Sequence, residues 1–84
     1  MYKVNENIVV AAVFNRKPLI KPVWFIWRGR KVRIASVTYN WMENEGRALC
    51  YHFSVSDGAN IYELSYNSEK LYWKLIAVED QALA

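Results

Sequence analysis

The chain has 84 residues, 54% of them hydrophobic and 23% charged, with a formal net charge of +3. That length suits a single domain spanning 1–84 and excludes a two-domain enzyme, while the composition is too apolar for a disordered acidic tail. One cysteine, Cys50, excludes an internal disulfide, and a lone histidine, His52, is too little for a zinc site, so no metal and no cofactor are expected. The longest early apolar run, Ile8 to Phe14, is about half the length a membrane-spanning helix needs and lacks the flanks of a secretory signal. The expectation is a cytoplasmic protein with no membrane partner.

Strand signals outnumber helix signals along the chain. Ile8 to Phe14 (IVVAAVF) is apolar at every position, as a strand covered on both faces would be, and Asn15 to Pro18 ends it. Pro22 starts Val23 to Trp27 (VWFIW), in which Val23, Phe25 and Trp27 share one face and Trp24 and Ile26 the other. Arg28-Gly29-Arg30-Lys31 then supplies a hairpin. On the returning segment Val32 and Ile34 keep one parity while Val37, Tyr39 and Trp41 keep the opposite one, which places a bulge or sharp bend at Ala35-Ser36.

Glu43-Asn44-Glu45-Gly46 closes a second hairpin. From Arg47 to Val55, Leu49, Tyr51, Phe53 and Val55 alternate with Ala48, Cys50, His52 and Ser54, the cleanest amphipathic strand in the sequence. Asp57-Gly58 is a strong turn signal, and Tyr62, Leu64 and Tyr66 share a face of the strand after it. Asn67 to Lys70 turns again, and Leu71, Trp73 and Leu75 point one way from the last strand. Helical spacing over Ser68 to Ala77 offers a rival helix, but it would scatter Tyr72, Trp73 and Ile76 around the axis. The expected fold is all-β: a six-stranded antiparallel meander curled into a small barrel or strongly bent sheet, with Glu79 to Ala84 fraying or closing in a short helical turn.

The stretch from Pro22 to Leu75 resembles a group of short, uncharacterised bacterial proteins with an F-x-W-x-G-R pattern, an S-V-S-D-G-A turn, Y-x-L and W-x-L. The matching residues are Phe25, Trp27, Gly29 and Arg30, then Ser54 to Ala59, Tyr62 and Leu64, and Trp73 and Leu75. These are core and turn positions, so the resemblance implies a fold and brings no catalytic or binding residues with it.

Candidate chemistry is sparse. Cys50 and His52 lie two apart on one strand face, where an imidazole could activate a thiolate, but no third orienting group is recognisable, and the plainer expectation is Cys50 as a small apolar filler and His52 as a half-exposed strand residue. Asp57 is explained by its turn, and Glu43 and Glu45 by solubility at a hairpin tip. Charge placement stands out. Seven of the eleven basic residues, Arg16, Lys17, Lys21, Arg28, Arg30, Lys31 and Arg33, fall in one segment without an acid, which leaves four bases against eight acids elsewhere. Cations beside Trp24, Phe25 and Trp27 suit single-stranded nucleic acid, whose bases stack on aromatic rings while its phosphates meet Arg and Lys. The site so expected comprises Trp24, Arg28, Arg30, Lys31 and Arg33, with Trp27 assigned to the core. Two other readings stand beside it: a solvated edge on which charge blocks aggregation, and a protein-interaction or homodimer module covering the strands that have no polar face.

Overall fold

The computed structural model describes residues 2–16 and 19–80. Every regular element among them is a strand: β1 (Tyr2–Phe14), β2 (Ile20–Trp27), β3 (Arg30–Arg33), β4 (Ser36–Glu45), β5 (Ala48–Ser56), β6 (Asn60–Asn67) and β7 (Tyr72–Asp80). They form one antiparallel sheet in the order β3-β2-β1-β7-β6-β5-β4. Among the described residues no helix is long and apolar enough to cross a membrane.

Seven strands replace the expected six because the segment after the first hairpin is divided. At Ile34-Ala35 the chain leaves β2 and joins β5, so Val32 and Val37 lie in different ladders. The Ile34 amide donates to the Val23 carbonyl (3.0 Å) and the next amide, Ala35, donates to Ser56 (2.8 Å). The interruption expected at Ala35-Ser36 is therefore present, and it is a change of partner strand. A second irregularity follows at Thr38, which reverses the parity, so Tyr39 is exposed instead of joining Val37 against the core.

Joining β3 to β4 forces curvature. Flat, the two edge strands of a seven-stranded sheet would stand roughly 29 Å apart at about 4.8 Å per strand. Arg33 and Ser36 are three residue steps apart, a reach of about 10 Å at most. The sheet must bend until its edges meet at this joint, and its shortest dimension, 24 Å, is well over the thickness of one flat layer. Bending stops short of a barrel: no ladder joins β3 to β4, and both remain edges. Closure fails because β3 is only four residues long and ends where β4 begins, so the two never run side by side.

The concave face holds the core. Phe25, Val55, Leu64 and Leu75 are fully buried, ringed by Phe53, Tyr62, Tyr66, Trp73 and Val78. Phe25 meets Tyr62 edge-on with ring centroids 5.1 Å apart, and Trp73 lies 4.8 Å from Tyr66, geometries that add to the burial of large aromatic area. Tyr62, Leu64 and Tyr66 are all buried, as the alternation predicts.

Other expectations need correction. β1 begins at Tyr2, well before Ile8, because Asn5 at φ 55° makes a bulge that lets the polar start of the strand pair with β7. Ile8 to Phe14 is not covered on both faces: Val9 and Val13 are exposed on the convex side. Val23 does not share a face with Phe25, because a register shift against Ala11 and Ala12 turns it outward. The second hairpin turns at Gly46-Arg47, which leaves Glu43 and Asn44 inside β4. Leu71 does not point with Trp73 and Leu75, since at φ 60° it closes the turn before β7 and is exposed. Ser68 to Ala77 is turn and strand, not helix, and Glu79 and Asp80 still belong to β7. The rest of the expected helical turn, 81–84, lies outside the described residues, as does Lys17.

Asp57 organises the β5–β6 turn, where Gly58 takes φ 100°. One carboxylate oxygen accepts from the Ala59 and Asn60 amides (2.8 and 2.7 Å), and the other accepts from the Tyr62 hydroxyl (2.9 Å). Burial works to raise the Asp57 pKa, but these donors together outweigh it and hold the carboxyl below its ordinary value. A depressed carboxyl contributes stability that is complete above the unfolded value of about 3.9 and is lost as pH falls through the lower folded value. Asp57→Ala should destabilise the protein by about 1–3 kcal/mol at neutral pH. In denaturant titrations across the acid range, its stability should fall less steeply below about pH 4 than that of the wild type; parallel curves would refute this.

Candidate nucleic-acid interface

The β2–β3 hairpin presents the basic segment. Arg28 and Gly29 both take positive φ, 51° and 76°, as a two-residue turn matched to the strand twist requires. Register then sorts the side chains. Phe25 pairs with Val32 and Trp27 with Arg30 on the concave side, whereas Trp24 pairs with Arg33 and Ile26 with Lys31 on the convex side. The expected site residues therefore do not form one patch.

Arg28 is committed within the fold. Its guanidinium donates to Glu6 at 2.7 Å, Glu6 also accepts from the Trp27 indole N–H (3.2 Å), and the guanidinium lies 4.8 Å over the Trp27 ring. The Arg28 hydrogen bond is the main reason that the Glu6 pKa is lowered, with burial opposing it and Trp27 adding to it. Glu6 clamps the hairpin to β1 from 22 positions away, a partner that no local pattern in the sequence signals.

Arg30, Lys31 and Arg33 are different. All three are exposed and none has an ion-pair partner among the described residues. They border a cleft of about 650 Å³ at one end of the curled sheet, with Trp27, Val32 and Tyr62 among its lining and Asp57 and Asp80 on the far side. Burial, with the Asp57 carboxylate adding to it, raises the Tyr62 pKa, and the positive charge of Arg30 opposes the shift. On the convex side Lys31 sits 4.4 Å over the Trp24 ring, and Trp24 is half-buried, so the ring expected to be an open platform carries a cation on one face. Trp27 packs against the core and also borders the cleft.

Cys50 and His52 share the convex face of β5, as their spacing predicts, but the structure sends them to separate partners. Cys50 Sγ donates to Glu45 (3.5 Å). The His52 ring nitrogens face Glu43 on β4 (3.5 Å) and Glu63 on β6 (4.0 Å). His52 is buried instead of half-exposed, because Trp41 lies flat over it with centroids 5.1 Å apart and the planes 10° from parallel. Among the described residues no cluster of three or more His, Cys, Asp or Glu side chains is arranged to hold a metal ion.

Comparison with family models, with curated proteins and with solved structures finds no match.

Burial raises the Cys50 thiol above its ordinary pKa, and the Glu45 carboxylate adds to the shift. A thiol held protonated under cover is a poor nucleophile. A disulfide reagent at neutral pH should label Cys50 slowly in the native protein and at the rate of a free thiol in denaturant. Rapid native labelling would show that the β4–β5 face is open.

Proposed function

We propose that the protein is a non-catalytic, cytoplasmic binding domain that takes single-stranded nucleic acid along the β3 edge, with little sequence preference. The observation that supports this most is the set of three cations on a four-residue edge strand that have no ion-pair partner among the described residues. Arg30 faces the aromatic-lined cleft, and Lys31 and Arg33 lie beside Trp24. An extended strand of phosphates can straddle that edge. A base that stacks on Trp24 displaces the Lys31 ammonium from the ring, and the released cation is then placed for a phosphate.

Three phosphate contacts at about 0.7 each give a log-log salt slope of roughly −2 for single strands. Arg30→Ala and Arg33→Ala should each weaken binding and flatten that slope by about 0.7. Arg28→Ala should leave the slope nearly unchanged, since Glu6 already neutralises it, and Glu6→Gln should steepen the slope by releasing that charge. Trp24→Ala should cost about 1–3 kcal/mol of binding with little change in slope. Fluorescence titrations with a homopolymeric single strand at several salt concentrations measure each quantity. Absence of salt-sensitive binding by the wild type at low ionic strength would leave the basic strand as a solvated edge.

A specific observation also favours the interaction-module reading. Val9 pairs with Ile26 on the convex face, and both are exposed, with Val13 and Val23 nearby on the same side. If two copies bury this stripe, sedimentation should give twice 9.9 kDa, and Val9→Lys with Ile26→Lys should return the monomer. A wild-type mass of 9.9 kDa at high concentration would dismiss the homodimer.

A further inference from the structure

The unclosed sheet leaves a second opening at the end of the molecule opposite the basic cleft. β3 covers β2 only from Trp24 to Trp27, so among the described residues Ile20 to Pro22 have β1 on one side and no strand on the other. Ten-residue β4 is paired with β5 on one side and, among the described residues, has no strand on its other side. The two free edges are pinned together at Ile34-Ala35 and separate beyond it. Between them lies a cleft of about 350 Å³, with Leu19 and Ile20 on one wall, Asn40 and Met42 on the other, and Tyr51 and Phe53 beneath.

What fits such an opening follows from its walls. Every second residue of an unpaired strand turns its N–H and C=O sideways, and only another extended backbone matches that row. Leu19 and Met42 leave apolar side chains exposed at the rim, which suits a strand with apolar residues at alternate positions. The charged side chains of β4 are Glu43 and Glu45, both exposed, so a nucleic acid is repelled and a basic segment attracted. A second copy of β4 would bring two more glutamates and no cation.

We propose that the β4 side of this seam is a docking site for an extended segment of a partner protein, which adds as a strand beside β4 and carries alternating apolar residues and basic flanks. The site is separate from the β3 edge and stands whether or not that edge binds nucleic acid.

A synthetic peptide of alternating Val and Thr with Lys at both ends serves as the probe. On titration into the full-length protein, it should slow amide exchange within Asn40 to Glu45 and leave Arg30 to Arg33 unaffected. The same peptide N-methylated at alternate amides along the edge that faces β4 should not bind. Glu43→Lys combined with Glu45→Lys should weaken peptide binding while circular dichroism and the nucleic-acid salt slope stay as in the wild type. The proposal is overturned if the probe does not bind at millimolar concentration, if it binds without protecting β4, or if N-methylation has no effect. Protection of the same amides by raising the protein concentration alone would assign the seam to a second copy and likewise overturn it.

Discussion

Arg33 and Ser36 belong to strands at opposite edges of a seven-stranded sheet, and only Ile34 and Ala35 lie between them. That covalent constraint dictates the rest of the architecture. A sheet whose edges must come within about 10 Å has to curl, and curling turns one face into an enclosed core where Phe25, Leu64 and Leu75 lose contact with solvent. Successive amides at the joint bond to β2 and to β5, so the bend is held by hydrogen bonds as well as by chain length. Irregularities at Asn5, Val23, Thr38 and Ile76 supply the added twist, since a strand with one extra residue bends locally.

The same constraint accounts for where the sheet remains open. A four-residue β3 cannot run beside β4, and the two clefts lie on either side of the joint, one bordered by the cations of β3 and the other lined mainly by apolar and aromatic residues, with Glu43 and Glu45 farther along β4. An 84-residue chain thus offers two edges of opposite charge, separated by the point that holds the curl. Neither opening required a loop of its own, because both arise from a closure left incomplete.

Placement of charge along the sequence and its placement in space tell different stories. The uninterrupted basic segment suggests one surface, but strand alternation divides it. Arg30 is sent to the concave rim and Lys31 and Arg33 to the convex side, while Arg28 is withdrawn by Glu6. Side chains that alternate every residue cannot pool a run of adjacent cations on one face. The usable positive charge at this hairpin is accordingly smaller than the sequence implies, and it is concentrated on the edge itself.

Alternation, turn chemistry and composition are local properties, and what depended on them was legible in the sequence alone: the all-β class, the hairpin at Arg28-Gly29, the Asp57-Gly58 turn, the buried face of Tyr62, Leu64 and Tyr66, and the break near Ala35-Ser36. Position and geometry of contacts between distant segments are not local. Pairing of β1 with β7, the division of one expected strand into β3 and β4, the Glu6 clamp and the burial of His52 under Trp41 were decided by the tertiary structure. Parity inferred from the sequence failed at Val23 and after Thr38 for one physical reason. A bulge shifts every later side chain to the other face, and where a bulge falls is set by the strand alongside, which the sequence of a single strand does not contain.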